Sequence, residues 1–251
     1  MPTRREPPEV TLVATGRGSD LHNAARFGIR VVEARDPSAW QLWRSLGRMH
    51  LGSPTGKDAL LLDLDVGQGP LARRLRSMRR DDPIGRACGL AKRTEMPTVL
   101  DPTAGLCRDA MALATLGCHV VAIERIAALA FLANDAIESS WLAERLRVVG
   151  GESLPTLAGM AGDRPPDVVY LDPMFRTPGD AQVKKDMQVC RALAGPPEDE
   201  APLLRAALAV ARERVVVKRE VGGPALGDGV SFVVPGERVR FDVYLRPGAP
   251  R

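Results

Sequence analysis

Two acidic residues and a glycine turn stand at spacings that suit the binding of a nucleotide-type cofactor. In the run 99–125 (VLDPTAGLCRDAMALATLGCHVVAIER), an apolar strand ends at Asp101 and a turn through Gly105 opens a helix. Backbone N–H groups at the start of that helix can face a polar or anionic group of a ligand. Glu124 follows about twenty residues further on, at the end of the next strand, where a carboxylate can accept both hydroxyls of a ribose.

A second group of residues, in the run 168–175 (VVYLDPMF), suits chemistry on an amine. It resembles the Asp/Asn-Pro-Pro-aromatic motif of methyltransferases that act on exocyclic amines, with Met174 in place of the second proline. The lone pair of a base amine is delocalised into the ring. Accepting its N–H bonds with the Asp172 carboxylate and a backbone carbonyl of the Asp172–Pro173 turn would favour a pyramidal, reactive nitrogen. Phe175 would stack on the base; the alternative is a plain turn with Phe175 in the core.

The elements that would position these residues follow from the hydrophobic pattern. After residue 95, strand and helix patterns alternate, which predicts a largely parallel sheet with helices on both faces. Two last strand patterns, 230–234 and 238–245, predict an antiparallel hairpin that closes the sheet. Before residue 95, short strand-like runs separated by Gly, Pro and Ser clusters predict a small α+β segment. We therefore expect a first unit of residues 1–95 and a second unit of residues 96–251.

A parallel sheet binds its ligand at the carboxyl ends of its strands, near the point where the strand order reverses. Four strand ends of the second unit carry polar or aromatic residues that would meet at one edge. The candidate site residues there are Asp101, Gly105, Arg108, Asp109, Glu124, Arg125, Glu152, Ser153, Asp172, Pro173 and Phe175. Taken singly, the glycine turn also fits an ordinary strand–helix connection, and Glu124 fits a solvated strand end paired with Arg125. The combination of these features is what predicts a site.

Positive charge is concentrated in one stretch of the first unit. The whole chain has a formal net charge of +4. Residues 73–93 alone hold eight arginine or lysine residues against Asp81 and Asp82, a local net charge of +6. The positive residues are Arg73, Arg74, Arg76, Arg79, Arg80, Arg86, Lys92 and Arg93. Such a patch is the electrostatic footprint expected for a phosphate backbone, although a solvated helix face gives the same pattern.

Composition argues against several classes of protein. The N-terminus (MPTRREPPEV) has no apolar signal core, and no uninterrupted apolar run approaches the roughly 18 residues that span a bilayer, so we expect a cytoplasmic protein with no membrane partner. The four cysteines form no CxxC pair and the three histidines are scattered, so neither disulfides nor a metal site is expected. The turn GLCRD lacks the G-x-G-x-x-G spacing of nicotinamide dehydrogenases.

Several segments together resemble one enzyme family. In chain order they are DPTAGLCRDA (101–110), VVAIER (120–125), VVYLDPMF (168–175), VKKDM (183–187), VVVKR (215–219) and RFDVY (240–244). Through them the chain is similar, from about Asp63 to Tyr244, to the small-subunit ribosomal RNA (guanine-N2)-methyltransferase J family. The resemblance implies a Rossmann-like, class I S-adenosylmethionine-dependent methyltransferase fold with a mostly parallel seven-stranded sheet. It also implies transfer of a methyl group from S-adenosylmethionine to the exocyclic N2 amine of one guanine in 16S rRNA.

The resemblance assigns residues to the cofactor pocket by motif position. They are Arg108 with Asp109, Glu124 with Arg125, Glu152 with Ser153, and Asp172. The chain departs from the family pattern at Pro102, Cys107, Glu152 and Arg176. Cys107 stands where a glycine is usual, so its side chain would lie where a close backbone approach is expected. Because no departure removes a carboxylate, we expect cofactor binding to survive.

The resemblance also implies a partner, which is 16S rRNA or the small ribosomal subunit. The stretch 73–93 would hold its phosphates, together with Lys184, Lys185, Lys218 and Arg219 near the sheet edge. A guanine would then be unstacked into the pocket. Two alternatives stay open. One is a methyltransferase of a small molecule or protein, and the other is a noncatalytic RNA-binding or ribosome-assembly protein in which Cys107 has cost the chain its cofactor.

Overall fold

The computed structural model describes residues 7–55, 60–160, 164–173, 185–194 and 200–249, and its strands form two separate sheets. Five strands between residues 10 and 63 make the first sheet, and seven strands between residues 98 and 245 make the second. The candidate site residues that the structure describes follow or flank strands of the second sheet. The first sheet is therefore a separate layer that the site does not use directly.

The first sheet is built around a short β–α–β unit. Its strands are β1 (Val10–Val13), β2 (Val31–Val32), β3 (Trp40–Ser45), β4 (Arg48–Gly52) and β5 (Leu61–Asp63). They lie in the order β2-β1-β3-β4-β5. Helix α1 (Gly18–Phe27) crosses from β1 to the parallel strand β2. Leu46 and Gly47 both have positive φ and form a two-residue turn between β3 and β4, the geometry that suits a twisted hairpin.

The second sheet is mostly parallel. Its strands are β6 (Thr98–Asp101), β7 (His119–Glu124), β8 (Leu146–Gly150), β9 (Val168–Leu171), β10 (Arg214–Glu220), β11 (Phe232–Val234) and β12 (Val239–Leu245). They lie in the order β11-β12-β10-β9-β6-β7-β8. Strands β6 to β10 pair in parallel, while β12 pairs antiparallel with both β10 and β11. This arrangement confirms the predicted Rossmann-like fold with its C-terminal hairpin.

The strand order reverses between β6 and β9. From β6 the chain adds β7 and β8 on one side and then returns to add β9 and β10 on the other. The connecting helices diverge at such a point and leave a crevice beyond the carboxyl ends of the two central strands. Those ends are Asp101 on β6 and Leu171 on β9, which Asp172 follows. The topology thus places the two predicted motifs side by side.

Within the described ranges, seven further helices connect the strands. They are α2 (Gly69–Ser77), α3 (Pro83–Ala87), α4 (Arg108–Thr115), α5 (Ala127–Glu138), α6 (Ser153–Gly159), α7 (Lys185–Ala194) and α8 (Ala201–Val210). Helices α4, α5 and α6 each follow a strand of the second sheet directly, whereas α2 and α3 link the two sheets. In the ranges that the structure describes, no helix is both long and apolar enough to cross a membrane.

Helix α5 has almost no polar stripe because both of its faces are covered. One face packs on β7 and β8, and the other packs on α1 and β4 of the first unit. Phe131 of α5 is fully buried and meets Phe27 of α1 edge to face, with ring centroids 6.3 Å apart. A helix that is apolar all round is expected in such a position. The two units therefore share one hydrophobic core, and the division near residue 95 stays a proposal based on the separate sheets.

An ion cluster ties the first sheet to α5. Nη2 of Arg44 donates to Oδ1 of Asp20 at 2.6 Å, and the same nitrogen donates to Asp135 on α5. The Asp20 side chain is only 2% exposed. Burial opposes its ionisation, but hydrogen bonds from Arg44 and Thr15 outweigh burial and hold the pKa of this carboxyl below its usual value.

We expect Arg44→Met to destabilise the protein by about 3 kcal/mol, because it leaves the buried Asp20 carboxylate without its cation. Urea unfolding followed by circular dichroism would show a lower midpoint at neutral pH. Since the folded pKa of Asp20 is lowered, its stabilising contribution is present above the unfolded pKa and is lost as the pH falls through the folded one. The deficit of the variant should therefore shrink below about pH 4.

Arg30→Met is the matched control, because the pair between Arg30 and Glu9 is exposed on both sides (60% and 67%) and should contribute little. A midpoint for Arg44→Met no lower than that of Arg30→Met would contradict the structural role of the cluster.

Candidate functional site

The carboxyl ends of the central strands surround one cavity of about 280 Å³. Its wall combines strand-end residues with the first residues of α5 and α6 and with side chains of α7 and α8. The lining residues are Pro102, Thr103, Gly105, Glu124, Arg125, Ile126, Leu129, Glu152, Ser153, Leu154, Pro155, Asp172, Pro173, Cys190, Glu200 and Leu203. The cavity thus lies at the switch point of the sheet, where a ligand is expected.

The turn after β6 is fixed by hydrogen bonds between its own side chains and backbone. Asp101 is 2% exposed, and its Oδ1 accepts the backbone N–H of Thr103 at 3.0 Å. The Thr103 hydroxyl donates to Asp101 and accepts the backbone N–H of Asp172, so it joins the ends of β6 and β9. Burial raises the pKa of Asp101 to about 8, although the Thr103 N–H opposes the rise. Asp101 therefore acts as a structural support for the turn.

Gly105 leaves room for a ligand beside the backbone. Its φ of +53° is left-handed, and a Cβ built on it would meet nothing within 4 Å. Because Gly105 also lines the cavity, that open space is available to a group that approaches the main chain closely. A side chain at this position would take the space.

Glu124 is held by the backbone in a position to accept further hydrogen bonds. Its Oε2 accepts the N–H of Gly105 and its Oε1 accepts the N–H of Ile126, both at 2.7 Å. Each oxygen of an ionised carboxylate can accept a second bond, so the pair can still receive two hydroxyls. Burial raises the pKa of Glu124 to about 7, against the effect of the two backbone N–H groups. The residue is poised between its two protonation states near neutral pH.

The Cys107 side chain lies in the core rather than in the cavity. It is fully buried, and the residue has a φ of 55° where it precedes α4. A left-handed backbone favours glycine, which accounts for the glycine that the family pattern carries at this position. The structure gives no support to the interpretation that Cys107 blocks the approach of a cofactor, because its side chain belongs to the hydrophobic core and Cys107 is not among the residues that line the cavity.

Lys218 connects two of the predicted acids. From β10, its Nζ donates to Oδ2 of Asp109 at 2.6 Å and to Oδ2 of Asp172 at 2.8 Å. The hydroxyl of Tyr170 donates to the same Asp109 oxygen at 2.7 Å. Asp109 lies in the first turn of α4 and Asp172 directly follows β9, so this network joins three elements at the cavity edge. We call these four residues the lysine network.

The groups of the lysine network set one another's protonation. Burial opposes ionisation of Asp109, but the Lys218 cation and the Tyr170 hydroxyl outweigh it and hold the pKa of Asp109 below its usual value. Burial raises the pKa of Asp172 to about 6; Lys218 opposes the rise and Asp109 adds to it. Burial works against the charge of Lys218, yet the two carboxylates raise its pKa. At neutral pH both acids are ionised and Lys218 is charged.

The predicted site residues fall into two groups, those that line the cavity and those that do not. Gly105, Glu124, Arg125, Glu152, Ser153, Asp172 and Pro173 line the cavity, whereas Asp101, Arg108 and Asp109 lie outside its lining in the part of the chain that the structure describes. Arg125 donates to the carbonyl of Ala194 at 2.7 Å, and the Ser153 hydroxyl donates to the carbonyl of Pro102. Phe175 lies outside the described residues.

Two cations predicted to hold phosphates have other partners. Lys218 belongs to the lysine network, and Arg219 is 7% exposed, donates to the carbonyl of Pro224 and faces Glu200. The burial of Arg219 contradicts the prediction for that residue. Lys218 is 24% exposed and binds two carboxylates, so its contact with phosphates stays a prediction. Lys184 and the side chain of Lys185 lie outside the described part of the chain.

The sequence analysis did not identify Tyr170 and Thr103 as residues of the site. The signal for Lys218 was a lysine directly after three valines at the end of a buried strand.

The basic stretch presents most of its charge to solvent. Its exposed members are Arg73, Arg74, Arg76, Arg79, Arg80, Arg86 and Lys92, and we call them the basic surface. Arg93 is half-buried and pairs with Glu213. Helix α2 packs on α4, and the charge of Arg74 is among the causes that lower the pKa of Asp109. The basic surface therefore reaches the neighbourhood of the cavity.

A larger cleft, of about 970 Å³, lies at the opposite edge of the second sheet. It is lined by the amino ends of β6, β7 and β8 and by several arginines, of which Arg212 pairs with Asp167 at 3.0 Å. Because the strand-end acids converge on the smaller cavity, we place the functional site there. Among the described residues, no cluster of three or more His, Cys, Asp or Glu is placed to hold a metal ion.

Comparisons with known proteins find similar methyltransferases. A family model described as "Putative SAM-dependent methyltransferase" matches residues 23–246. A ribosomal RNA small subunit methyltransferase J from Chromobacterium violaceum is 38% identical over 231 residues, which cover 88% of this chain and 89% of that protein. The protein of the same name from Pseudoalteromonas atlantica is 42% identical over 186 residues, which cover 69% of this chain and 72% of that protein.

A solved structure is similar over nearly the whole chain. The crystal structure of a SAM-dependent methyltransferase from Neisseria gonorrhoeae has a TM-score of 0.73 and 28% sequence identity, and it covers 96% of this chain and 97% of that chain. The family match starts at residue 23, well before Asp63, where the sequence motifs placed the start of the resemblance. Most of the first unit therefore shares the relationship.

The raised pKa of Glu124 predicts a pH dependence of cofactor binding. Because ribose hydroxyls need an ionised acceptor, the affinity for S-adenosylhomocysteine should rise about tenfold between pH 6 and pH 8 as this carboxyl ionises. Glu124→Gln should bind more weakly and lose the rise. Isothermal titration calorimetry at pH 6, 7 and 8 measures both. The variant keeps Asp101, whose pKa is about 8, so a rise that persists in Glu124→Gln would assign the titration elsewhere.

Proposed function

The chain belongs to the ribosomal RNA small subunit methyltransferase J family, and on that premise we propose that it methylates the exocyclic N2 amine of one guanine in 16S rRNA. It would act in the cytoplasm, on the RNA or on the small ribosomal subunit. S-adenosylmethionine is the methyl donor. The observation that carries the proposal is the convergence of Gly105, Glu124 and Asp172 on one cavity at the switch point of the sheet.

The cavity has the features that an adenosyl group requires. Glu124 offers two acceptor positions to the ribose hydroxyls. Gly105 leaves the main chain open to close approach. Ile126, Leu154 and Leu203 supply apolar surface for a purine in the same cavity. These residues would hold the cofactor, which supplies an electrophilic methyl group on its sulfonium sulfur when bound.

Asp172 has the position and the charge to activate an amine. It lies on the cavity wall beside Pro173, and it is ionised at neutral pH because its pKa is about 6. By accepting an N–H bond, its carboxylate would turn the nitrogen lone pair outward and stabilise the positive charge that develops on the nitrogen. Once methylated, the nitrogen carries one surplus proton, which Asp172 would take and pass to water. Phe175 keeps its proposed role of stacking on the base.

The basic surface would hold the RNA near the cavity. Phosphate contacts supply affinity and register without reading sequence, which suits a row of exposed arginines on α2 and after it. The target guanine would leave its stack to enter the cavity, at a cost of a few kcal/mol.

A strain without the gene should lack one N2-methylguanosine in its 16S rRNA, measured by mass spectrometry of nuclease digests. The wild-type gene should restore the modification. Asp172→Ala should not, because loss of the carboxylate is expected to lower the transfer rate at least about 100-fold. Glu237→Ala, which removes an exposed acid on the C-terminal hairpin, is the matched control and should restore the modification.

Purified Asp172→Ala should still bind RNA as the wild type does, since the basic surface is intact. An unchanged N2-methylguanosine content of 16S rRNA in the deletion strain would refute 16S rRNA as the substrate. Restoration by Asp172→Ala would refute the role of the carboxylate.

The basic surface predicts salt-dependent RNA binding. Replacing Arg73, Arg76 and Arg79 together by Gln should flatten the plot of log affinity against log salt by about 0.7 to 0.9 for each phosphate that the protein no longer neutralises. Filter binding at several KCl concentrations measures the slope. The control replaces the exposed Arg145, Arg147 and Arg164 by Gln; it removes the same charge at the opposite edge of the sheet and should leave the slope unchanged. A flatter slope in the control alone would place the RNA on the larger cleft.

A further inference from the structure

The lysine network contains a cation that the proposed chemistry does not use. Lys218 touches Asp172, and Asp172 is the residue to which the proposed function assigns the target amine. We propose that Lys218 is a positioning residue for the transfer, which orients the Asp172 carboxylate toward the amine and keeps it ionised. This inference rests on the proposed function, because it needs Asp172 to be the acceptor of that amine.

Lys218 is itself held in place from the side away from Asp172. Its Nζ donates to Asp109 at 2.6 Å, and Asp109 is fixed by the hydroxyl of Tyr170 at 2.7 Å. The Tyr170 side chain is fully buried, and the Asp109 and Lys218 side chains are 13% and 24% exposed. A lysine in water samples many rotamers, whereas one held in this way presents its ammonium group from a single direction. The position of the cation is therefore set before any substrate arrives.

Two contacts together fix the orientation of Asp172. Its backbone N–H donates to the Thr103 hydroxyl at 2.8 Å, and its Oδ2 accepts from Lys218 at 2.8 Å. With the main chain and one carboxylate oxygen located, the plane of the carboxylate is defined. We assign Oδ1 to the amine, because Oδ2 already receives the ammonium group. A misplacement of this oxygen by about 1 Å is enough to slow a reaction that depends on alignment.

The charges around Asp172 act on it in opposite directions. In the part of the chain that the structure describes, the titratable groups that act on it are Lys218 from β10, Asp109 from α4, Tyr170 from β9 and Asp101 from β6. The charge of Arg74 of α2 helps to lower the pKa of Asp109. Burial and the Asp109 charge favour the protonated form of Asp172, whereas the Lys218 cation favours the ionised form. Loss of Lys218 and loss of Asp109 should therefore move the ionisation of Asp172 in opposite directions.

The opposite effects of Lys218 and Asp109 on the ionisation of Asp172 allow a positioning role of Lys218 to be distinguished from a purely structural one. If Lys218 had only a structural role, its loss and the loss of Asp109 would both lower stability, and the accompanying change in the ionisation of Asp172 would leave the pH profile of the reaction unmoved. If Lys218 keeps Asp172 ionised, the acid limb of the profile moves to higher pH in Lys218→Met and to lower pH in Asp109→Asn. Asn can still accept the Tyr170 hydroxyl, so Asp109→Asn perturbs packing little.

The experiment measures kcat/KM for 16S rRNA from pH 5 to pH 9, with S-adenosylmethionine saturating at every pH so that the ionisation of Glu124 does not enter the profile. The wild-type acid limb should lie near pH 6, where Asp172 ionises. In Lys218→Met the limb should move up by about one pH unit or more, with roughly tenfold lower activity below the limb and recovery at alkaline pH. In Asp109→Asn the limb should move down. Calorimetry with S-adenosylhomocysteine reports cofactor affinity for each variant.

A second readout needs no activity. The carboxyl carbon of Asp172, assigned by comparison with Asp172→Asn, is titrated by ¹³C NMR in the free protein. Its midpoint should shift in the same directions as the kinetic limb in Lys218→Met and in Asp109→Asn.

Lys218→Met leaves the buried Asp109 without its cation, so that variant can fail to fold. The double variant Lys218→Met/Asp109→Asn removes both charges and keeps the net charge of the network. Because the effect of Lys218 on Asp172 exceeds that of Asp109, the midpoint in the double variant should still lie above that of the wild type. Lys218→Arg keeps the charge but changes its geometry, so it should retain the wild-type limb and lose kcat.

Identical limbs and NMR midpoints in the wild type, Asp109→Asn and the double variant would overturn the proposal. So would a wild-type rate in Lys218→Met at every pH. A wild-type protein that methylates no RNA would overturn the proposed function instead, and the NMR midpoints would then decide alone whether Lys218 controls the charge of Asp172.

Discussion

Four acids lie at the carboxyl edge of one sheet, and the site depends on how each carboxyl group is accommodated away from water. Each is handled in its own way. The Glu124 carboxylate accepts two backbone N–H groups. Asp109 and Asp172 share the Lys218 cation. Asp101 has a pKa of about 8 and accepts hydrogen bonds from its own turn. A buried carboxylate without such a partner would be protonated or would destabilise the fold. The hydrogen-bond and ion-pair partners of these acids are therefore a condition for any reaction at the site.

The sequence predicted the location of the site better than the hydrogen bonds and ion pairs within it. Parallel strands that alternate with helices must bring their carboxyl ends to one edge, so the acids after β6, β7 and β9 could be expected to meet without any knowledge of their contacts. The partner of Asp172 could not be found in this way. Lys218 lies 46 residues further along the chain, and only the pairing of β10 with β9 brings them together. A lysine beside another cation had suggested phosphate binding instead.

The first unit was less predictable because its strands are short and little patterned. Strand β2 has two residues, and β5 has three. The hairpin of β3 and β4 was missed, since its turn uses Leu46 at a positive φ, where glycine or asparagine is the usual signal. Cys107 shows the same limit at the site. Its backbone conformation explains a preference for glycine, yet the sequence suggested a clash with ligand.

Helix α5 has a consequence for how the chain can be divided. Leu129 of its first turn and Ile126, which directly precedes the helix, line the cavity, while its far face is covered by α1 and β4. A fragment that began after residue 95 would expose that apolar face to water, and it would aggregate rather than work as an autonomous catalytic module. The two sheets should accordingly melt in a single cooperative transition, because the first unit covers the face of α5 that would otherwise be exposed to water.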